Sequence, residues 1–207
     1  MRKENLILAD VDGVLLDWEW GFYDFIKSRY PSLKLVNPDA YKVGEKFNIT
    51  SKEGRALSRE FNNSARIGYL NPLRDSVKYV RKLYERGYMF HVITSQSLDP
   101  YSQKLRISNL ENLFGKVFID YTILDTGADK GDVLKDITTK YPGENFHWIE
   151  DKGENLDVGE DLGLTGILMS HPHNTDYPGN RVYYWEEIHN SIIYGDNTVD
   201  PKHYSLQ

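Results

Sequence analysis

Asp10 and Asp12 stand two positions apart at the end of the apolar run Asn5-Leu6-Ile7-Leu8-Ala9, and Gly13 follows at once. Alternate residues of a strand project to one side, so both carboxylates can face a common site. Two anionic groups that close repel each other unless a proton or a cation lies between them. Mg2+ takes oxygen ligands of this kind. Asp and Gly are also ordinary turn residues, so Asp10-Val11-Asp12-Gly13 alone reads most simply as the turn after a strand. Three later stretches shift the balance. Val92-Ile93-Thr94-Ser95 ends an apolar run in two hydroxyls that can donate to phosphate oxygens. Gly127-Ala128-Asp129-Lys130 opens a helical pattern with a lysine that is either a solvated charge or a partner for a phosphoryl group. Phe146-His147-Trp148-Ile149 delivers a second pair of acids, Glu150 and Asp151, and Asp157 follows where it can support the loop.

The acids at 10, 12, 150 and 151 and the hydroxyls at 94 and 95 sit at the ends of short apolar runs. Candidate strands are Asn5–Ala9, Met89–Thr94, Val117–Ile119, Phe146–Ile149 and Gly166–Met169. Their continuous apolar character suits parallel strands buried on both faces. Between them lie helical patterns. Pro72 to Arg86 places Leu73, Val77, Val80 and Leu83 at helical spacing and stops at Gly87. Asp99-Pro100 sets a capping residue before a first-turn proline. Lys130 to Lys140 carries Val133, Leu134 and Ile137, with Pro142 as its stop. Alternating strands and helices predict an α/β fold, a three-layer Rossmann-like parallel sheet. Residues 17–70 break that rhythm. Trp18, Phe22, Phe25 and Ile26 share a helical face ended by Pro31, and Thr50-x-x-Glu53 is a capping-box pattern. This segment reads as a small helical cap over the sheet's carboxyl edge, where open α/β sheets bind ligands. The core then comprises 1–16 and 71–195, with a polar tail at 196–207.

Composition narrows the partners. The 207 residues carry a net charge of −6, which disfavours a stable nucleic-acid partner. No cysteine is present, in keeping with a reducing, cytoplasmic setting and excluding thiolate metal sites. No run approaches the length of a membrane span, and the acids at 10 and 12 interrupt the apolar start as a signal peptide would not. A homodimer is compatible with the chain.

Asp10-Val11-Asp12-Gly13-Val14, Thr94, Lys130 and Glu150-Asp151 resemble, in order and spacing, the four motifs of the haloacid dehalogenase (HAD) superfamily of phosphatases. A narrower likeness covers residues 5 to 193. Asp10 through Trp18, Gly68-Tyr69-Leu70-Asn71-Pro72-Leu73, Ile93-Thr94-Ser95, Asp129-Lys130, Ile149 through Lys152, His173-Asn174 and Trp185 through Ile188 look like the 5'(3')-deoxyribonucleotidase family. The chain departs from that family at Ile67-Gly68-Tyr69, where more aromatics are usual, and at Glu150, where a second aspartate is common.

The resemblance implies a HAD-like core and a Mg2+-dependent phosphomonoesterase acting on (deoxy)nucleoside monophosphates. Asp10 would attack phosphorus, forming an aspartyl-phosphate, and Asp12 would act as general acid and base. Mg2+ would be held by Asp10, the main-chain carbonyl of Asp12 and Asp151, with Glu150 behind them. Thr94, Ser95 and Lys130 would bind the phosphoryl oxygens. Trp18, and after it Tyr69, would contact a base. Trp20 and Tyr23 read as core or surface, and His171 and His173 as structural rather than as zinc ligands. Other readings are a phosphatase of sugar phosphates or phosphoglycolate, a nucleic-acid-end phosphatase, and a non-catalytic binding protein. An acid at position 12 disfavours dehalogenation, because it suits a leaving alkoxide that needs a proton.

Overall fold

The computed structural model describes residues 5–140 and 146–195. Its centre is a six-stranded sheet in the order β3-β2-β1-β4-β5-β6, parallel throughout. The strands are β1 (Leu6–Ala9), β2 (Met89–Ser95), β3 (Phe118–Leu124), β4 (His147–Glu150), β5 (Thr165–Met169) and β6 (Arg181–Val182). Side-chain alternation along them divides two cores. Ile7, Ala9, Phe90, Val92, Ile149, Ile167 and Met169 share one cluster with Tyr79, Val80 and Leu83 of α4 (Ser76–Glu85). Leu110 and Phe114 of α5 (Pro100–Phe114) and Trp185 and Ile188 of α8 (Trp185–Tyr194) complete it. Leu8, Ile93, Trp148 and Leu168 face the other way, toward Leu134 and Ile137 of α6 (Gly131–Lys140) and Leu156 of α7 (Gly153–Asp161). With both faces covered, neighbouring positions of a central strand are equally apolar, which is why these runs lack alternation. Each buried large side chain contributes on the order of 1.5–3 kcal/mol.

The expected sheet and helices are present, with local differences. β3 runs five residues past the expected Ile119, to Leu124. It is an edge strand whose faces are half exposed, so Asp120, Tyr121 and Thr122 interrupt the apolar run without ending the pairing. The two-residue β6 carries too little pattern to be read from sequence. α4 starts at Ser76 rather than Pro72. Arg74 adopts φ 46°, a left-handed conformation that no helix continues through. Pro142 and the tail at 196–207 lie outside the described residues.

Between β1 and α4 the chain forms α1 (Trp18–Arg29), the single turn α2 (Val43–Lys46), α3 (Ser51–Asn62) and a 3₁₀ turn at Ala65–Tyr69. Thr50 and Glu53 make the reciprocal cap of α3 that their spacing predicts. α2 and α3 cross closely: a Cβ on Gly54 would stand 2.5 Å from the Gly44 nitrogen. Among the described residues no helix is long and apolar enough to cross a membrane.

Asp75 joins two ends of the fold. It precedes α4 but makes no side-chain cap there. Its carboxylate instead accepts from the Trp185 and Glu186 backbone N–H groups at 2.9 and 3.1 Å, capping α8. The Trp185 indole, fully buried, then donates to the Val14 carbonyl at 2.8 Å in the loop after β1. Asp75→Ala is therefore expected to cost about 1 kcal/mol, the usual value of a helix cap. Chemical denaturation measures it, and an unchanged midpoint would show that water replaces the cap at no cost.

Candidate functional site

Asp10 follows β1 directly, and its N–H donates to the Ile149 carbonyl of β4 at 2.9 Å. β1 and β4 are neighbours whose onward connections run in opposite directions across the sheet, the crevice where open α/β sheets bind ligands. A cleft of about 820 Å3 opens there, between the sheet edge and the helices of residues 17–70. Asp10, Asp12, Thr94, Ser95, Lys130, Glu150 and Asp151 all line it, so four separate segments of chain do converge.

At its floor Lys130 is buried between two carboxylates, with Nζ 2.8 Å from Asp10 Oδ2 and 2.8 Å from Glu150 Oε2. Burial alone would lower the lysine's pKa; Asp10 and Glu150 outweigh it and raise it, so the ammonium stays charged. Glu150 is saturated by donors. Its oxygens accept from Lys130, from the Asn155 side chain at 3.1 Å, and from the Asp151 and Lys152 N–H groups at 2.9 and 3.1 Å. Burial pushes Glu150 upward, but Lys130 and these hydrogen bonds bring it down to about 2. Asp10 and Asp151 differ. Burial, with the neighbouring acids, raises Asp10 well above its ordinary range. Asp151 goes up to about 7, burial again leading and His173 opposing.

Carboxyls that resist ionisation for want of positive charge suit a cation. Oxygens of Asp10, Glu150 and Asp151 lie within 4.8 Å of one another, an all-oxygen set of the kind Mg2+ accepts. Glu150 meets four protein donors, whereas Asp10 meets the Val11 N–H and Lys130, and Asp151 meets His173. The Asp12 side chain pairs with Arg106 and is not part of that oxygen cluster.

Thr94 is 1% exposed, lines the cleft, and among the described residues its Oγ1 has no hydrogen-bond partner. A buried hydroxyl left unpaired is costly, and a phosphoryl oxygen would satisfy it. Ser95 is placed otherwise than expected. Its hydroxyl donates to the Ala128 carbonyl at 2.7 Å and ties β2 to the loop leading to Lys130. Tyr69 is also corrected: it is 81% exposed and does not line the cleft. Ile67 of the same 3₁₀ turn is buried and Gly68 packs against Leu105, which leaves Tyr69 facing outward. Trp18 does line the cleft. Its ring stacks on Phe22 at 4.7 Å, and Nε1 donates to Asn62 Oδ1 at 2.9 Å. Tyr23 and Tyr41 line the cleft as well, while Trp20 is exposed.

Several supporting residues escaped the sequence reading. Lys46 is buried in the cleft wall and donates to Glu19, to the Tyr23 hydroxyl and to the Pro38 carbonyl. Arg106 of α5 is 0% exposed and pairs with Asp12. A signal existed for Arg106: Ser102, Arg106 and Asn109 recur at helical spacing as a polar stripe on a helix whose other inward positions are apolar. His173 has a carboxylate partner that sequence did not reveal. His173 Nε2 stands 3.3 Å from Asp151 Oδ2 and 3.1 Å from its carbonyl. His171 Nε2 lies 2.6 Å from the Gly13 carbonyl, and burial pushes its pKa down to about 4. It is thus neutral at pH 7 and donates that bond. Asn174 adds a 2.7 Å bond to the Asp151 carbonyl.

No protein-family model matches the chain. An uncharacterized 32.4 kDa protein in the Gp30-rIII intergenic region of Enterobacteria phage T4 is 29% identical over 197 residues, covering 90% of this chain and 69% of that protein. Similar solved structures include a predicted phosphatase from Clostridium acetobutylicum, with TM-score 0.65, 15% identity, and 91% and 97% of the two chains covered. A predicted phosphoglycolate phosphatase from Haemophilus somnus gives 0.63, 13%, 91% and 98%. A HAD-superfamily hydrolase from Ehrlichia chaffeensis gives 0.56, 15%, 93% and 97%. The fold is that of the HAD hydrolases.

Two predictions follow from the geometry. Gly13 has φ +78°, and a Cβ on it would stand 2.5 Å from Asp151 Oδ2. Gly13→Ala should cost at least about 1 kcal/mol in backbone strain and displace that carboxylate. Calorimetry should show Mg2+ binding weakened roughly tenfold or more; wild-type affinity would mean Asp151 has room to spare. The second concerns pH. Asp151 moves from 3.8 in the unfolded chain to about 7 in the fold. Between those values the native state holds more protons, so the metal-free protein loses stability as pH rises. Mg2+ competes with those protons. The rise in Tm on adding Mg2+ should be larger near about pH 8 than near about pH 5 in thermal denaturation, and equal shifts would contradict the assignment.

Proposed function

We propose that this chain is a divalent-cation-dependent phosphomonoesterase and that its substrates are (deoxy)nucleoside monophosphates. One observation carries the reading: Asp10, clamped by Lys130 and bordered by Asp151, stands in a cleft with the unpaired Thr94 hydroxyl and the Asp12 carboxylate. Asp10 Oδ1 already accepts from the Val11 N–H at 2.7 Å, and Oδ2 meets Lys130, so the carboxylate is fixed in orientation.

Asp10 attacks phosphorus and forms an aspartyl-phosphate while the substrate's alkoxide leaves. Asp12 gives that alkoxide its proton. It then takes a proton from the water that attacks the aspartyl-phosphate, restoring Asp10 and releasing phosphate. Burial raises Asp12 although Arg106 opposes it, which helps a carboxyl hold a proton until the leaving group needs it. Lys130 and Thr94 offset the charge of the phosphoryl oxygens. A Mg2+ ion held by Asp10, Asp151 and the Asp12 carbonyl would supply charge neutralisation between the anionic nucleophile and the anionic ester.

The lining of the cleft supports the choice of substrate. Its volume of about 820 Å3 exceeds what a phosphate and a short acid require. Trp18, Tyr23 and Tyr41 line it, and Lys42, Arg55 and Lys152 add positive charge. Aromatic walls suit a nucleobase, at about 1–3 kcal/mol per stacked ring. Resemblance to the deoxyribonucleotidases points the same way. A second reading, a small sugar-phosphate or phosphoglycolate-type substrate, draws on the fold shared with a predicted phosphoglycolate phosphatase.

A panel of phosphate esters assayed with Mg2+ separates them. Deoxynucleoside monophosphates should be hydrolysed with the highest kcat/KM; phosphoglycolate or sugar phosphates at the top would favour the second reading. Asp10→Asn should lower turnover roughly 10³-fold or more while the fold persists, the scale of losing a nucleophile. Undiminished hydrolysis by that variant would remove Asp10 from the chemistry.

A further inference from the structure

We propose that Arg106 is the positioning residue for proton transfer, holding the Asp12 carboxylate in its working orientation from behind the cleft. This inference rests on the phosphomonoesterase reading above and deepens it.

Arg106 does not line the cleft and is 0% exposed, so it cannot meet a substrate without the protein opening. Its guanidinium meets Asp12 at two places. Nη2 donates to Oδ2 at 3.1 Å, and Nη1 stands 2.7 Å from Oδ1 in a close ionic contact that lacks hydrogen-bond geometry. A charge-assisted hydrogen bond to one oxygen, with a second guanidinium nitrogen held close to the other, restrains the carboxylate more than a single point charge would. Burying a guanidinium costs several kcal/mol unless it is paired. The fold therefore accommodates Arg106 only with Asp12 in this place. Asp12 itself is 23% exposed at its side chain and lines the cleft. Each carboxylate oxygen has a second lone pair, so engagement by Arg106 on one side leaves acceptor capacity toward the substrate.

The scaffold behind Arg106 is stiff. One turn along α5, Asn109 clasps the chain leaving the 3₁₀ turn, accepting from the Leu70 N–H at 3.0 Å and donating to the Leu70 carbonyl at 3.1 Å. Leu105, beside Arg106, packs against Gly68, where an added Cβ would stand 3.2 Å away. The Asp99 carboxylate caps the start of the helix through the Ser102 N–H at 2.8 Å. Arg106 thus projects from a helix pinned at two points, and Asp12 inherits that rigidity.

In the first chemical step the bond from Asp10 oxygen to phosphorus forms, the bond from phosphorus to the ester oxygen breaks, and the Asp12 proton passes to that oxygen. A leaving group that is stable as an anion does not need the proton. Arg106 variants should therefore be selective in their damage. The test is kcat/KM, with Mg2+ present, for phenyl, p-chlorophenyl and p-nitrophenyl phosphate, in wild type, Arg106→Lys and Arg106→Met. Folding is checked by circular dichroism and Tm.

Misplaced proton transfer should lower kcat/KM for phenyl phosphate about 100-fold and leave p-nitrophenyl phosphate within about 5-fold, steepening the dependence on leaving group. In an Asp12→Asn background, Arg106→Met should add little further loss, because its effect runs through Asp12. A parallel fall across the three esters in Arg106→Lys, or an additive loss in the double variant, would overturn the inference while leaving the phosphatase reading in place. Absence of hydrolysis of every ester by the wild type would instead overturn that reading.

Discussion

A single buried ammonium holds the site together. Lys130 lies between Asp10 and Glu150 with 2.8 Å to each, buried at the floor of the cleft. Without it, acids from two neighbouring strand ends would crowd one low-dielectric pocket with uncompensated charge. One lysine does not neutralise Asp10, Glu150 and Asp151 together. The remaining deficit makes the metal-free site reluctant to ionise and ready for a cation. Stability and ligand affinity are therefore set against each other: the arrangement that leaves Asp10 and Asp151 raised is the one that gives a divalent ion something to bind.

Around that centre the protein spends buried polar groups on orientation. His173 and Asn174 hold Asp151, His171 holds the Gly13 carbonyl, and Trp185 holds the Val14 carbonyl. Arg106 takes Asp12 from α5. These contacts come from the loop after β5, from α8 and from α5, so the short loop after β1 is fixed from several directions. Such convergence keeps two carboxylates two residues apart from collapsing onto the same partner. One goes to Lys130 and the other to Arg106, which is the separation of environments expected for two acids with different tasks.

The helices of residues 17–70 follow another logic. Trp18, Phe22, Phe25, Phe47 and Phe61 pack ring against ring, and this aromatic knot holds short helices that have little else to bury against. Trp18 belongs both to that knot and to the cleft wall, so its position is set by packing before any ligand arrives.

The sequence by itself determined the alternation of strand and helix, the paired acids at strand ends and the helix caps, because these depend on local periodicity and on hydrogen bonds spanning a few residues. It grouped Asp10, Asp12, Thr94, Lys130, Glu150 and Asp151 through their resemblance, in order and spacing, to four HAD motifs, with the acids and Thr94 at the ends of apolar runs and Lys130 at the start of a helical pattern. Tertiary structure alone decided which acid meets which cation. Arg106 lies 94 residues from Asp12 and nothing local distinguishes its partner. His173 reaches Asp151 across a crossover, and Asp75 caps a helix 110 residues away rather than its own. Tyr69 faces outward because its neighbours Ile67 and Gly68 claim the buried side. Long-range pairing is set by where packing brings helices and loops together, and a linear pattern does not contain that information.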